Sequence, residues 1–130
     1  MSSLQVNTLY ASTANTVTVF KDYNNVEMGQ LCKAWVNFNG TGTIAIRGSF
    51  NVSSLTDGGT GIYTVNYARQ LPDANYAVIG LASCTDATSS SQALQVSETT
   101  VPTTSAVTVT VNNAASGKAD REFINVAIFD

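Results

Sequence analysis

The chain has 130 residues, 44% hydrophobic and only 12% charged, with a net charge of -3 at pH 7. That length suits one domain with a short appendage, and the charged fraction is about half the roughly 25% of ordinary globular domains. The six cations, Lys21, Lys33, Arg47, Arg69, Lys118 and Arg121, form no cluster, which speaks against a phosphate-backbone binder, and the absence of histidine removes His-based triads and His-ligated metal sites.

With so few charges, solubility must come from Thr, Ser, Asn and Gly, a neutral coat suited to meeting water or sugar. Residues 1–10 lack the basic start and apolar run of a secretory signal. No apolar stretch reaches the ~20 residues of a membrane helix. The expectation is a soluble protein made in a cytoplasm, reaching the outside by lysis or as part of a particle.

Residues 1–30 are sparse in apolar groups and rich in Asn, Ser and Thr. Such a segment can scarcely bury a core alone. It is expected to be an extended attachment and trimerisation segment, in which Leu4, Val6, Leu9, Val17 and Val19 from three chains share one core. Residues 15–20 alternate as a strand, and a single turn is expected around Met28.

From Leu31 onward, strand signals dominate. Residues 31–38 put Cys32, Ala34, Val36 and Phe38 on one face and Lys33, Trp35 and Asn37 on the other. Residues 43–52 place Ile44, Ile46, Gly48, Phe50 and Val52 together, the cleanest period-2 run in the chain. Asp57-Gly58-Gly59-Thr60 then marks a hairpin turn, because glycine tolerates positive φ, and residues 61–67 follow as a strand. Residues 76–84 are apolar on both faces and read as a buried strand. Residues 92–97, 106–111 and 122–129 complete the set, with a small polar loop at 112–120. No window of about 11 residues shows a helical period.

Seven strands from Leu31 to Phe129 predict an all-β fold, an antiparallel β-sandwich or compact barrel knob over residues 31–130. Its core is expected to hold Val36, Phe38, Ile44, Ile46, Phe50, Val65, Val78, Val109, Val126 and Ile128.

The remaining signals are weighed against plain structural roles. Cys32 and Cys84 are either two small buried thiols or one disulfide. The glycine clusters are hairpin turns, since neither leads into a helix with Gly-Lys-Ser/Thr. The carboxylates sit at turns, where solvation explains them better than a glycosidase pair. No cofactor, metal or catalytic residue is expected. Trp35 is read first as packing within the knob or between subunits and second as a platform for a sugar ring. Tyr63 and Tyr67 are read as core or interface residues, with ligand contact as the second reading.

Three stretches carry a resemblance. Residues 33–43 (KAWVNFNGTGT), 49–67 (SFNVSSLTDGGTGIYTVNY) and 72–76 (PDANY) resemble, in order, a module near the C-termini of tail-fibre proteins of marine and cyanobacterial bacteriophages. The opening residues 4–9 and 15–19 resemble the start of such fibres. The resemblance implies a virion appendage, a homotrimer with a slender N-terminal part and a β knob. The expected function is therefore that of a non-enzymatic virion protein, a tail-fibre tip binding a host-surface glycan or protein. Its contacts would come from loops: Asp57, Gly58, Gly59 and Thr60; Asp86, Ser89 and Ser90; Asn113 to Lys118. Expected partners are further copies of the chain, other tail or capsid proteins and the host receptor, without nucleic acid or membrane insertion. The alternative is a capsid decoration protein or a small tail connector; a depolymerase is a third and weaker reading.

Overall fold

The computed structural model describes residue 8, residues 20–84 and residues 92–130. The chain divides into two compact units, Met1–Gln30 and Leu31–Asp130. Leu4, Val6, Leu9, Val17 and Val19 lie outside the described residues.

In the first unit, β1 (Phe20–Lys21) pairs antiparallel with β2 (Glu27–Gly29). The turn between them is organised by Asp22, whose Oδ1 accepts the N–H groups of Asn24 and Val26, both at 2.9 Å. Asn25 takes the left-handed conformation that asparagine tolerates, at φ 67°. Met28, where a turn is predicted, instead lies in β2.

The second unit contains β3 (Cys32–Asn39), β4 (Ala45–Phe50), β5 (Val52–Asp57), β6 (Ile62–Tyr67), β7 (Ala77–Ala82), β8 (Gln92–Val96), β9 (Ala106–Asn113), β10 (Gly117–Lys118) and β11 (Ile124–Phe129). One sheet has the order β4-β3-β11-β7. In the other, β9 is flanked by β8 on one edge and by β6 and then β5 on the other, with β10 also on β9. Every pairing is antiparallel, there is no helix among the described residues, and neither sheet closes into a barrel.

The two sheets share one hydrophobic core. From the first sheet come Ala34, Val36, Phe38, Ile124, Val126 and Ile128; from the second, Tyr63, Val65, Tyr67, Val107, Val109 and Val111. Alternation puts each set on one face of its strands, and the Phe38 and Tyr63 rings join the layers edge to face, centroids 5.1 Å apart. Each such buried side chain stabilises the fold by about 1.5–3 kcal/mol relative to exposure.

Two expected core residues fall elsewhere. Ile46 and Phe50 are exposed, Phe50 at 55%. Ile46 still pairs with the buried Phe38 but lies on the edge strand β4. Phe50 is displaced by a bulge, since Phe38 pairs with Ile46 and Asn37 with Gly48, so that Arg47 is an extra residue. One inserted residue reverses the side-chain parity, and Phe50 swings to the outer face opposite Trp35. Ile44 and Val78 pack against the core only partly buried.

The run at 43–52 is also not one strand. It breaks at Asn51, which adopts φ 54°. There the chain leaves one sheet and enters the other as β5, an element absent from the sequence reading. The Asn51 side chain holds this corner: its Nδ2 donates to the carbonyls of Lys33 at 3.0 Å and Arg69 at 3.1 Å, and its Oδ1 accepts the Arg69 N–H at 2.8 Å.

Residues 76–84, expected to be buried on both faces, form the edge strand β7, whose alternate residues Ala77, Ile79 and Leu81 are exposed. Cys32 and Cys84 are both free. Cys32 pairs with Phe129 at one end of its sheet, while Cys84 follows β7 at the other end, and Cys84 is exposed rather than buried. No disulfide joins them.

Candidate functional site

Strand direction sorts the loops of the second unit between its two ends. β3 starts beside Phe129 and finishes beside Ile124, so the chain enters at Leu31 at one end. The opposite end collects the turns after β3, β5 and β9, the start of the β7–β8 connection and the segment leading into β11. Backbone hydrogen bonds tie these together: Gly40 N–H to Arg121 O at 2.9 Å, Ser83 N–H to Phe123 O at 2.8 Å, Val111 N–H to Gly61 O at 2.8 Å and Ala119 N–H to Val111 O at 3.0 Å.

A polar pin fixes this end. The Tyr63 hydroxyl has one proton and two acceptors in reach, Asp120 Oδ1 at 2.7 Å and the Gly40 carbonyl at 2.9 Å. Asp120 Oδ1 also accepts the Gly61 N–H at 2.7 Å. Burial, followed by the Asp120 carboxylate, raises the Tyr63 pKa, so the phenol remains a donor. Gly61 is required twice over. Its φ is +66°, and a Cβ there would lie 2.6 Å from the Val111 carbonyl.

Beside the pin opens a cavity of about 320 Å³ lined by Thr41, Ser83, Cys84, Asp120, Arg121, Glu122 and Phe123. This is within the size of small-ligand sites, roughly 300–1,000 Å³. Arg47 packs against two of these lining residues, its guanidinium 4.2 Å from the Phe123 ring centroid and 3.6 Å from the Glu122 carboxylate. Arg121 Nε donates to Gln92 Oε1 at 2.8 Å. The lining thus combines one aromatic ring with charged and hydroxyl groups able to exchange hydrogen bonds with a sugar. Asp120 is already held by two donors, which suits positioning better than proton transfer. Among the described residues, no group of three or more His, Cys, Asp or Glu side chains is placed to hold a metal ion.

The loop residues singled out from sequence fall partly here. Asp57, Gly58, Gly59 and Thr60 form a tight exposed turn, with Asp57 Oδ1 accepting the Gly59 N–H at 2.8 Å. Asn113 and Lys118 flank the turn after β9, at the same end. Asp86, Ser89 and Ser90 lie outside the described residues. Tyr63 and Tyr67 are core residues and present no ring to a ligand.

The cavity residues went unnoticed in the sequence because 122–129 reads as a strand from its first residue. The signal that could have found them is Asp120-Arg121-Glu122, a run of three adjacent charges in a chain with few.

The two outer sheet faces differ sharply. The five-stranded face is a lattice of neutral polar groups: Thr64 and Thr108 hydroxyls meet at 2.8 Å, Asn66 donates to Thr56 at 3.0 Å, and Asn112 donates to Gln95 at 2.6 Å. The four-stranded face carries Phe50, Trp35, Ala127 and Ile79 in one cross-strand row and Gly48, Asn37, Asn125 and Leu81 in the next. The Trp35 indole lies against Gly48, where an added Cβ would touch its ring at 3.4 Å.

No protein-family model matches this chain, and no curated protein or solved structure shows significant similarity to it.

Proposed function

We propose that this chain is a non-enzymatic virion structural protein, the knob of a bacteriophage tail fibre, which attaches to a host-surface receptor through the cavity-bearing end of its two-sheet body. The supporting resemblance lies in residues 33–43, 49–67 and 72–76. Receptor contact is assigned to the turns at 57–60 and 113–118 and to the cavity walled by Thr41, Arg121, Glu122 and Phe123.

The observation that carries this reading is the polarity of the body. The chain enters at Leu31, at the end that also holds the connections 68–76 and 97–105, while the cavity and the turns at 57–60 and 113–118 gather at the far end. A module held at one end and gripping with the other needs that arrangement, and loops can vary there without disturbing the core. The receptor class is a neutral or weakly charged glycan. One aromatic ring with hydroxyl and charged hydrogen-bonding groups around it suits sugar hydroxyls, and the neutral coat avoids steering toward polyanions. Copies gathered at the fibre tip multiply weak individual contacts through effective concentration.

The test is adsorption of the purified chain to host cells and to their extracted envelope polysaccharide. Lys118→Glu and Thr60→Arg, both at exposed turn positions, are expected to weaken adsorption while leaving the far-ultraviolet spectrum unchanged. Adsorption equal to that of the parent chain in both variants would overturn the assignment.

A further inference from the structure

Phe50, Trp35, Ile79 and Leu81 are 55%, 43%, 61% and 74% exposed on one outer sheet face. With about 150–250 Å² in a large apolar side chain, these exposures leave roughly 350–600 Å² of apolar surface. This is as large as the largest apolar patch of a typical monomer. It also matches the apolar centre of one side of a standard interface, about 800 Å² per partner. The two cross-strand rows contain no charged residue, so a second face of the same kind meets no like-charge repulsion. Between the apolar groups, Asn37 Nδ2 donates to Asn125 Oδ1, which leaves an amide acceptor on one residue and a donor on the other.

The face is divided into halves. Phe50 and Trp35 lie on β4 and β3, and Ile79 and Leu81 on β7, with only small Ala127 between Trp35 and Ile79 in their row. Phe50 and Ile79 are thus three strand spacings apart, about 14 Å. Two flat aromatic rings beside a glycine and two branched aliphatics on the opposite edge are complementary in shape to each other rather than each to itself.

We infer that this face packs on a second copy of the chain, the Phe50–Trp35 half of one copy against the Ile79–Leu81 half of the next. The interface explains why residues 76–84 are apolar on both faces although β7 is covered on only one within a single chain. It stands independently of the receptor reading, because assembly and receptor binding are separate measurements.

The test is the mass of the full chain by light scattering, with circular dichroism as the folding control. The parent chain is expected at a multiple of 13.6 kDa. Phe50→Glu and Ile79→Lys each place a charge in the interface and are expected to release folded single copies. The chain carrying both substitutions sets Glu against Lys across every contact, and its assembly is expected to return. A parent chain of single-copy mass would overturn the inference, as would single variants that keep the parent mass or a double variant that stays dissociated. Loss of polysaccharide binding in the single variants with mass unchanged would assign the face to a ligand instead, and would also overturn it.

Discussion

Tyr63 and Asp120, 57 residues apart in the chain, meet through a 2.7 Å hydrogen bond at the cavity-bearing end of the body. The same Asp120 oxygen accepts the Gly61 N–H, so one carboxylate joins the start of β6 to the segment leading into β11. Hydrogen bonds to a charged partner contribute about 1.5–3 kcal/mol, and an orphaned buried donor adds a desolvation cost. Asp120→Ala is therefore expected to lower the unfolding free energy by about 2–4 kcal/mol, and Tyr63→Phe by about 1–3 kcal/mol. Urea titration measures both. Losses under 0.5 kcal/mol would show that the pin is ornamental.

Tyr67 provides the opposite case. Its hydroxyl is buried without a hydrogen-bond partner of acceptable geometry, while its ring packs edge to face on Tyr76 at 5.9 Å. Removing an unsatisfied hydroxyl and keeping the ring costs little. Tyr67→Phe is expected to leave stability unchanged or raise it by up to ~1 kcal/mol. The contrast with Tyr63→Phe in the same titration is the check, and an equal loss in both would contradict the assignment of partners.

Asn51 combines a left-handed backbone with three side-chain hydrogen bonds at the corner between sheets. Alanine there loses all three bonds and keeps an unfavourable φ worth about 1–2 kcal/mol. Asn51→Ala is expected to cost about 2–4 kcal/mol. Asn51→Gly relieves the backbone and should cost less. A reversed order of the two would place the stabilisation elsewhere.

The buried tyrosines set an alkaline limit. Burial is the largest cause raising the pKa of Tyr63, Tyr67 and Tyr76 above the usual value of 10.0. Each phenol ionises more readily in the unfolded chain, so its stabilising contribution is complete below pH 10 and is lost as the pH rises further. Each contributes a slope of up to about 1.4 kcal/mol per pH unit. Unfolding followed by circular dichroism is expected to coincide with a step in tyrosinate absorbance above pH 10. Ionisation of all three with the strand signal intact would contradict their burial.

Much of the fold was legible because alternation is a strong signal wherever one face of a strand is buried. β3, β6, β9 and β11 follow the expected parity, and their inward residues are the core. Alternation could not reveal the Arg47 bulge, since an inserted residue changes parity without altering the pattern of residue types. Nor could it reveal the break at Asn51, where a single left-handed residue turns one long run into strands of different sheets. The turns at 57–60 and 113–118 were readable from their glycines and small polar residues. The cavity was not, because Thr41, Ser83 and Phe123 come together only through the topology. The two-sided apolar character of 76–84 was read correctly as composition. Its second face simply has no cover within the chain.

The central claim, that the cavity-bearing end grips the receptor, is tested most directly by comparing two charge reversals at opposite ends. The measurement is the dissociation constant of the purified chain for host envelope polysaccharide, determined in parallel for Lys118→Glu beside the cavity end and Arg69→Glu at the Asn51 corner. The account predicts binding weakened about ten-fold or more by the first, the scale of an interface hot spot, and left within a factor of two by the second. Equal affinity in both variants, or a loss confined to Arg69→Glu, would contradict it.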